Sequence, residues 1–135
     1  MAMGPSLFGI AAYVGVKLAG YTYAGRVLGA RYQQAEPKPF NFGVARCLLG
    51  VAVGFTFAQI TFFVDILNTD WLFFVLLFPF RMGEWLLIQA VYYPAARPNP
   101  RRPLKYALAG TAWSYALDIP AIGAIFVIPG GMWVC

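Results

Sequence analysis

Four apolar stretches, each long enough to cross a bilayer and each parted from the next by only a few polar residues, leave this chain little choice of fold. They run roughly over 6–33, 41–68, 71–96 and 103–129. A membrane helix needs about 20 residues at about 1.5 Å per residue. With 135 residues, 61% hydrophobic and 11% charged, the chain has too little polar surface for a water-soluble domain of this size. The expectation is one all-α domain over 1–135, an integral membrane up-down four-helix bundle.

The breaks fix the order. Gln34-Ala35-Glu36-Pro37-Lys38-Pro39-Phe40 holds two prolines, and Arg97-Pro98-Asn99-Pro100-Arg101-Arg102-Pro103 holds three. Proline removes a backbone donor and stops a helix. Asn68-Thr69-Asp70 is a short polar hinge in which Thr69 or Asp70 can cap the third helix. Short connections make neighbouring helices antiparallel.

Charge placement orients this bundle. Eight of the ten Lys and Arg residues cluster around the first and third breaks: Arg26, Arg31, Lys38 and Arg46, then Arg97, Arg101, Arg102 and Lys105. An even helix count puts both breaks on one side, and the positive-inside rule makes that side cytoplasmic. The expectation is N-out/C-out in a multi-pass protein of the bacterial inner-membrane type. Trp71, Trp133, Tyr92 and Tyr93 fall near the expected interfaces, where amphipathic rings settle. The start lacks the positive region of a cleaved signal, so the first segment is expected to stay. No aromatic-interleaved basic face for nucleic acid is present.

The other two cations, Lys17 and Arg81, lie near mid-depth with Glu84 and Asp118. A single charge at that depth costs about 2.5–3.5 kcal/mol on insertion scales, so isolated ones are rarely kept without a partner or a task. Two of each sign suggest one charge-neutral site. Arg81 and Glu84, three apart on one helix, share a face and can pair directly; Lys17 and Asp118 offer a second pairing across the bundle. Ser114, Tyr115 and Thr111 extend the polar face around Asp118, and Tyr13 and Tyr21 flank Lys17. Pro79 and Pro120 lie two residues from Arg81 and Asp118 and free carbonyls near Val75 and Ala116. Broken helices beside midplane charges build substrate sites in many transporters. Lys17, Arg81, Glu84, Asp118, Ser114 and Tyr115 are therefore the candidate ligand-binding residues. Arg46, with Arg26 and Arg31, is placed among residues that grip anionic lipid headgroups. Asp65, with Thr61, Asn68 and Thr69, makes a smaller polar patch at the outer end of the second helix.

Small residues recur at four-residue spacing: Ala11, Gly15 and Ala19; Gly25 and Gly29; Gly50, Gly54 and Ala58; Ala112 and Ala116. Such rows let helices approach closely, within one bundle or between subunits. Sequence leaves both uses open.

Three functions follow from these residues. The first is binding or passage of a polar or ionic ligand or a lipid headgroup by the midplane network, which implies a homo-oligomer or a partner to enclose a path. The second is a non-catalytic accessory or structural subunit of a larger membrane complex. The third, a small lipid-modifying enzyme, would use Glu84, Asp118 or Asp65 as acid or base. No catalytic residues are assigned: the chain has no His, no metal-ligand spacing and no phosphate-binding glycine loop. Neither a metal nor a cofactor is expected. Cys47 and Cys135 are assigned to opposite sides, too far apart for a disulfide. Length and helix number invite comparison with small multidrug transporters, but Lys17 stands where that family carries a glutamate, and the strong Lys/Arg bias opposes dual insertion.

Overall fold

A computed structural model describes residues 7–64, 70–94, 99 and 101–127. The described residues form four helices and no strands: α1 Leu7–Arg31, α2 Pro39–Val64, α3 Asp70–Tyr92 and α4 Arg101–Val127. The polar patch around Asp65, the cap at Thr69, the side chains of Thr61 and Ala58, and the ring positions of Trp71 and Trp133 lie outside what is described.

Helix ends follow local chemistry, with shifts of a few residues from the sequence expectation. α1 stops at Arg31 because Gln33 takes a left-handed backbone at φ 52°. Gln34 N–H then donates to the Gly29 carbonyl at 3.0 Å, closing the helix end. α2 begins at Pro39 rather than 41: proline suits the first helical position, where the missing N–H has no partner to lose. α3 ends at Tyr92 rather than 96, since Pro94 disfavours helical backbone in the residue before it. α4 begins at Arg101 rather than 103, and the Asn99 side chain accepts the Arg101 N–H at 3.2 Å. Pro103 is tolerated there because first-turn donors have no intrahelical acceptor.

Neighbouring helices run antiparallel. Tyr21 meets Ser114 while Arg31, farther along α1, meets Arg102, earlier on α4. Arg46 meets Glu84 as Asn41 meets Tyr92. Trp85 meets Ser114 as Gln89 meets Pro103. Gly25 packs under Phe42, and Gly43 sits against Thr22. The order around the core is thus α1, α2, α3, α4.

Beside an apolar core that includes Phe42, Trp85, Ile88 and Ala107, the interior holds many polar side chains, and large apolar ones lie outside. Lys17, Arg46, Arg81, Glu84, Gln89, Thr111, Ser114 and Asp118 are buried. Leu48, Val51, Phe55, Val75, Leu87, Val91, Leu108 and Ile119 are exposed. Among the described residues, two helices are long and apolar enough to cross a membrane, α2 over Pro39–Phe57 and α3 over Val75–Tyr92, with mean hydropathy 1.5 and 1.2. α1 and α4 have 25 and 27 residues; Lys17, Thr111, Ser114 and Asp118 turn inward, while the basic residues near the Arg31 and Arg101 ends stay exposed.

The small-residue rows divide. Gly25 and Gly29 pack within the bundle, against Phe42 and Pro37. Ala11, Gly15 and Ala19 face outward, as do Ala112 and Ala116. Gly110 makes the closest approach of all. A Cβ there would lie within 2.6 Å of the Trp85 indole, a ring only 1% exposed with nowhere to move. Gly110→Val is therefore expected to cost at least the ~1–3 kcal/mol of an overpacked core. A Cβ on Gly15 meets nothing within 4 Å, so Gly15→Ala should be neutral or gain up to about 1 kcal/mol of helix propensity. Unfolding of both variants in detergent checks the contrast.

Candidate functional site

Lys17 on α1 comes to Asp118 through the inward stripe that also holds Tyr13 and Tyr21. Its ammonium lies 5.3 Å and 5.8 Å from those two ring centroids and donates to Asp118 Oδ1. Arg81 on α3 donates to the other oxygen, Oδ2, at 2.8 Å, and its guanidinium lies 5.2 Å from the Tyr115 ring. One carboxylate on α4 therefore ties α1 and α3 together, one oxygen to each cation. Glu84 is held differently: Arg46 Nη2 of α2 donates to its Oε2 at 2.5 Å. The Arg46 guanidinium lies beside the rings of Tyr21, at 5.0 Å, and Trp85, at 5.2 Å, which meet each other edge-on.

Two sequence expectations are corrected here. Arg81 and Glu84 share a helix face, yet each is paired with another helix, Arg81 with Asp118 and Glu84 with Arg46. Arg81 and Glu84 point into the core, where carboxylate and guanidinium groups from α4 and α2 meet them head-on. Arg46 is not placed to grip a headgroup. It is 1% exposed, in the core, because α2 turns it toward Glu84. Its signal was present: Arg46 lies seven residues into α2, about 10 Å along the axis, too deep to be a simple orientation charge. Arg26 and Arg31 remain exposed.

The five charged side chains are between 1 and 7% exposed. Among the described residues they comprise three cations and two carboxylates, one positive charge more than the neutral set expected from Lys17, Arg81, Glu84 and Asp118 alone. Moving such ions out of water costs several kcal/mol each after relaxation. Shared oxygens, bidentate-capable guanidinium groups and ring faces offset that cost.

Ser114 is the neutral centre of the site. It is fully buried and accepts from Trp85 Nε1 at 3.0 Å and from Tyr21 Oη at 3.3 Å. Tyr115 is half-buried against Arg81. Gln89, which sequence reasoning missed, bridges three elements one turn beyond Trp85. Its Nε2 donates to the carbonyls of Trp85 at 3.1 Å and Pro103 at 3.2 Å, and its Oε1 accepts from Tyr32 at 2.9 Å. A lone amide on the same inward face as Arg81 and Trp85 was the available signal. Tyr93 is buried and donates to the Gly25 carbonyl at 3.0 Å.

Three buried polar atoms have no hydrogen-bond partner among the described residues: Arg46 Nε, Thr111 Oγ1 and Thr22 Oγ1. Glu84 also borders an apolar groove of about 370 Å3 between α2 and α3, walled by Leu49, Val53, Phe80 and Leu87. No group of three or more Cys, Asp or Glu side chains able to hold a metal occurs among the described residues. No protein-family model matches the chain, and no curated protein or solved structure matches it either.

Proposed function

We propose that this is a multi-pass integral membrane protein of the bacterial inner-membrane type, a non-catalytic accessory or structural component whose buried charges lock four helices in one register. The observation that carries this reading is that both buried carboxylates are already engaged: Asp118 by Lys17 and Arg81, Glu84 by Arg46. Each pair joins different helices, so the network specifies helix rotation and depth, the best-attested use of buried polar groups. The buried charges and the apolar exterior support the membrane setting, because unpaired charge would face hydrocarbon if these helices were rotated outward.

Arg31 and Arg102 meet at one end, where Arg26, Lys38, Arg101 and Lys105 are also exposed. The positive-inside rule makes that end cytoplasmic and leaves both termini outside. Arg26 and Arg31 there face the headgroups of the inner leaflet. The outward row Ala112-Ala116 offers a close-approach surface for a second copy or a larger complex.

Flux measurement tests the lock against a path. Purified protein in vesicles is expected to pass protons, potassium and chloride no faster than protein-free vesicles. Ion flux that Glu84→Gln abolishes, in protein that still unfolds cooperatively, would overturn the structural reading in favour of transport. Cysteines placed in the 98–102 loop are expected to react only from the cytoplasmic side, and labelling from outside would reverse the orientation.

A second reading has one specific observation behind it. The excess cation and the unpartnered Arg46 Nε favour an anion as the ligand of this network. Chloride or bromide raising the unfolding temperature, lost in Arg46→Met, is the result this reading requires.

A further inference from the structure

The outer face of α1 carries a second groove, of about 450 Å3, that the buried network does not use. Gly15 and Ala19 form an exposed floor without bulky side chains. Tyr23 and, from α2, Phe40 stand beside it as walls, both rings 60% exposed. Arg26 closes one end. From Gly15 to Arg26 the helix rises about 16 Å, comparable to a dozen methylenes of an extended acyl chain.

The ends of this groove differ in charge. Arg26 is exposed, and the ion pairs among the described residues do not include it. Lys38, Arg31, Arg101, Arg102 and Lys105 are exposed at the same end of the bundle, against Glu36 as the acid of the first connection. Toward Gly15 the lining is apolar apart from Thr22, whose hydroxyl is turned inward and buried. The shape is that of an amphiphile: an apolar trough ending on a cation at the basic end of the bundle.

We infer that this groove binds one anionic phospholipid, an acyl chain lying along Gly15 and Ala19 between the Tyr23 and Phe40 rings, with its phosphate on Arg26. The inference rests on the membrane setting proposed above. It makes this face a lipid site in the inner leaflet and leaves the Ala112-Ala116 face for protein neighbours. Arg26 supplies the headgroup preference through charge, and the small floor supplies the chain's depth of contact.

The test uses the full chain in mixed micelles holding equal phosphatidylglycerol and phosphatidylcholine, with retained lipid counted by native mass spectrometry. One phosphatidylglycerol is expected to be kept over phosphatidylcholine by about five-fold, the preference a basic residue near the surface gives. Arg26→Gln should equalise the two lipids. Gly15→Leu should displace both, while its unfolding temperature in lipid-free detergent stays at or above the wild-type value, since the space above Gly15 is open. Equal retention by the wild type, or a preference unchanged in both variants, overturns the site. Displacement of the lipid by inorganic phosphate would assign Arg26 to a free anion and overturn it too. So would a dimer lost in Gly15→Leu with lipid counts unchanged, which would give the groove to a second copy. Carbonate extraction of wild-type membranes is read separately: release of the chain refutes the membrane setting itself, whatever the lipid counts.

Discussion

Asp118→Asn is expected to be the most damaging near-isosteric change in the chain, lowering stability by about 3–5 kcal/mol. The two oxygens of Asp118 each serve a different cation, Lys17 from α1 and Arg81 from α3, and all three side chains are at most 6% exposed. An amide keeps the shape but removes the charge both cations were buried against. Lys17→Met alone should cost much less, because Arg81 and Asp118 remain a neutral pair and the excess positive charge disappears. Combining Lys17→Met with Asp118→Asn should therefore recover part of the loss. Unfolding in detergent, followed by tryptophan fluorescence, reads all three variants. Asp118→Asn within about 0.5 kcal/mol of the wild type, the range of an ordinary surface change, would mean that the charges carry no locking role.

Arg46→Met is expected to cost a similar amount, about 3–5 kcal/mol, by leaving Glu84 buried beside an apolar groove without its cation. Packing contributes less to this loss, since methionine keeps much of the apolar volume between Tyr21 and Trp85. Replacing both partners, Arg46→Met with Glu84→Leu, should restore most of the stability, because a buried pair removed whole takes its desolvation cost with it. The double-mutant cycle measures the coupling directly. A double variant as unstable as Arg46→Met alone would place the damage in the packing of Arg46 against Tyr21 and Trp85 instead.

The pairings in these two experiments differ in how far sequence anticipated them. Lys17 with Asp118 was readable, since each is the lone charge deep in its own helix and antiparallel order brings their depths together. Arg81 with Glu84 was the natural local pair at three-residue spacing, but it does not form. Arg81 and Glu84 each meet a partner from another helix, Asp118 from α4 and Arg46 from α2. Arg46 was misread because basic residues near a helix end usually orient the chain in the membrane. Its burial depends on how α2 is rotated. Gln89 was overlooked for a related reason: one amide on an inward face does not name its partners, here the Pro103 carbonyl and the Tyr32 hydroxyl.

Hydropathy and proline placement were enough to dictate four antiparallel helices and an inward polar stripe on α1, α3 and α4, because backbone donors and isolated charges tolerate few other arrangements in apolar surroundings. What the residues could not encode one at a time was the partner of each charge. That was decided by the rotation and register of packed helices, where a turn of about 100° per residue moves a guanidinium from the bundle's surface to its centre.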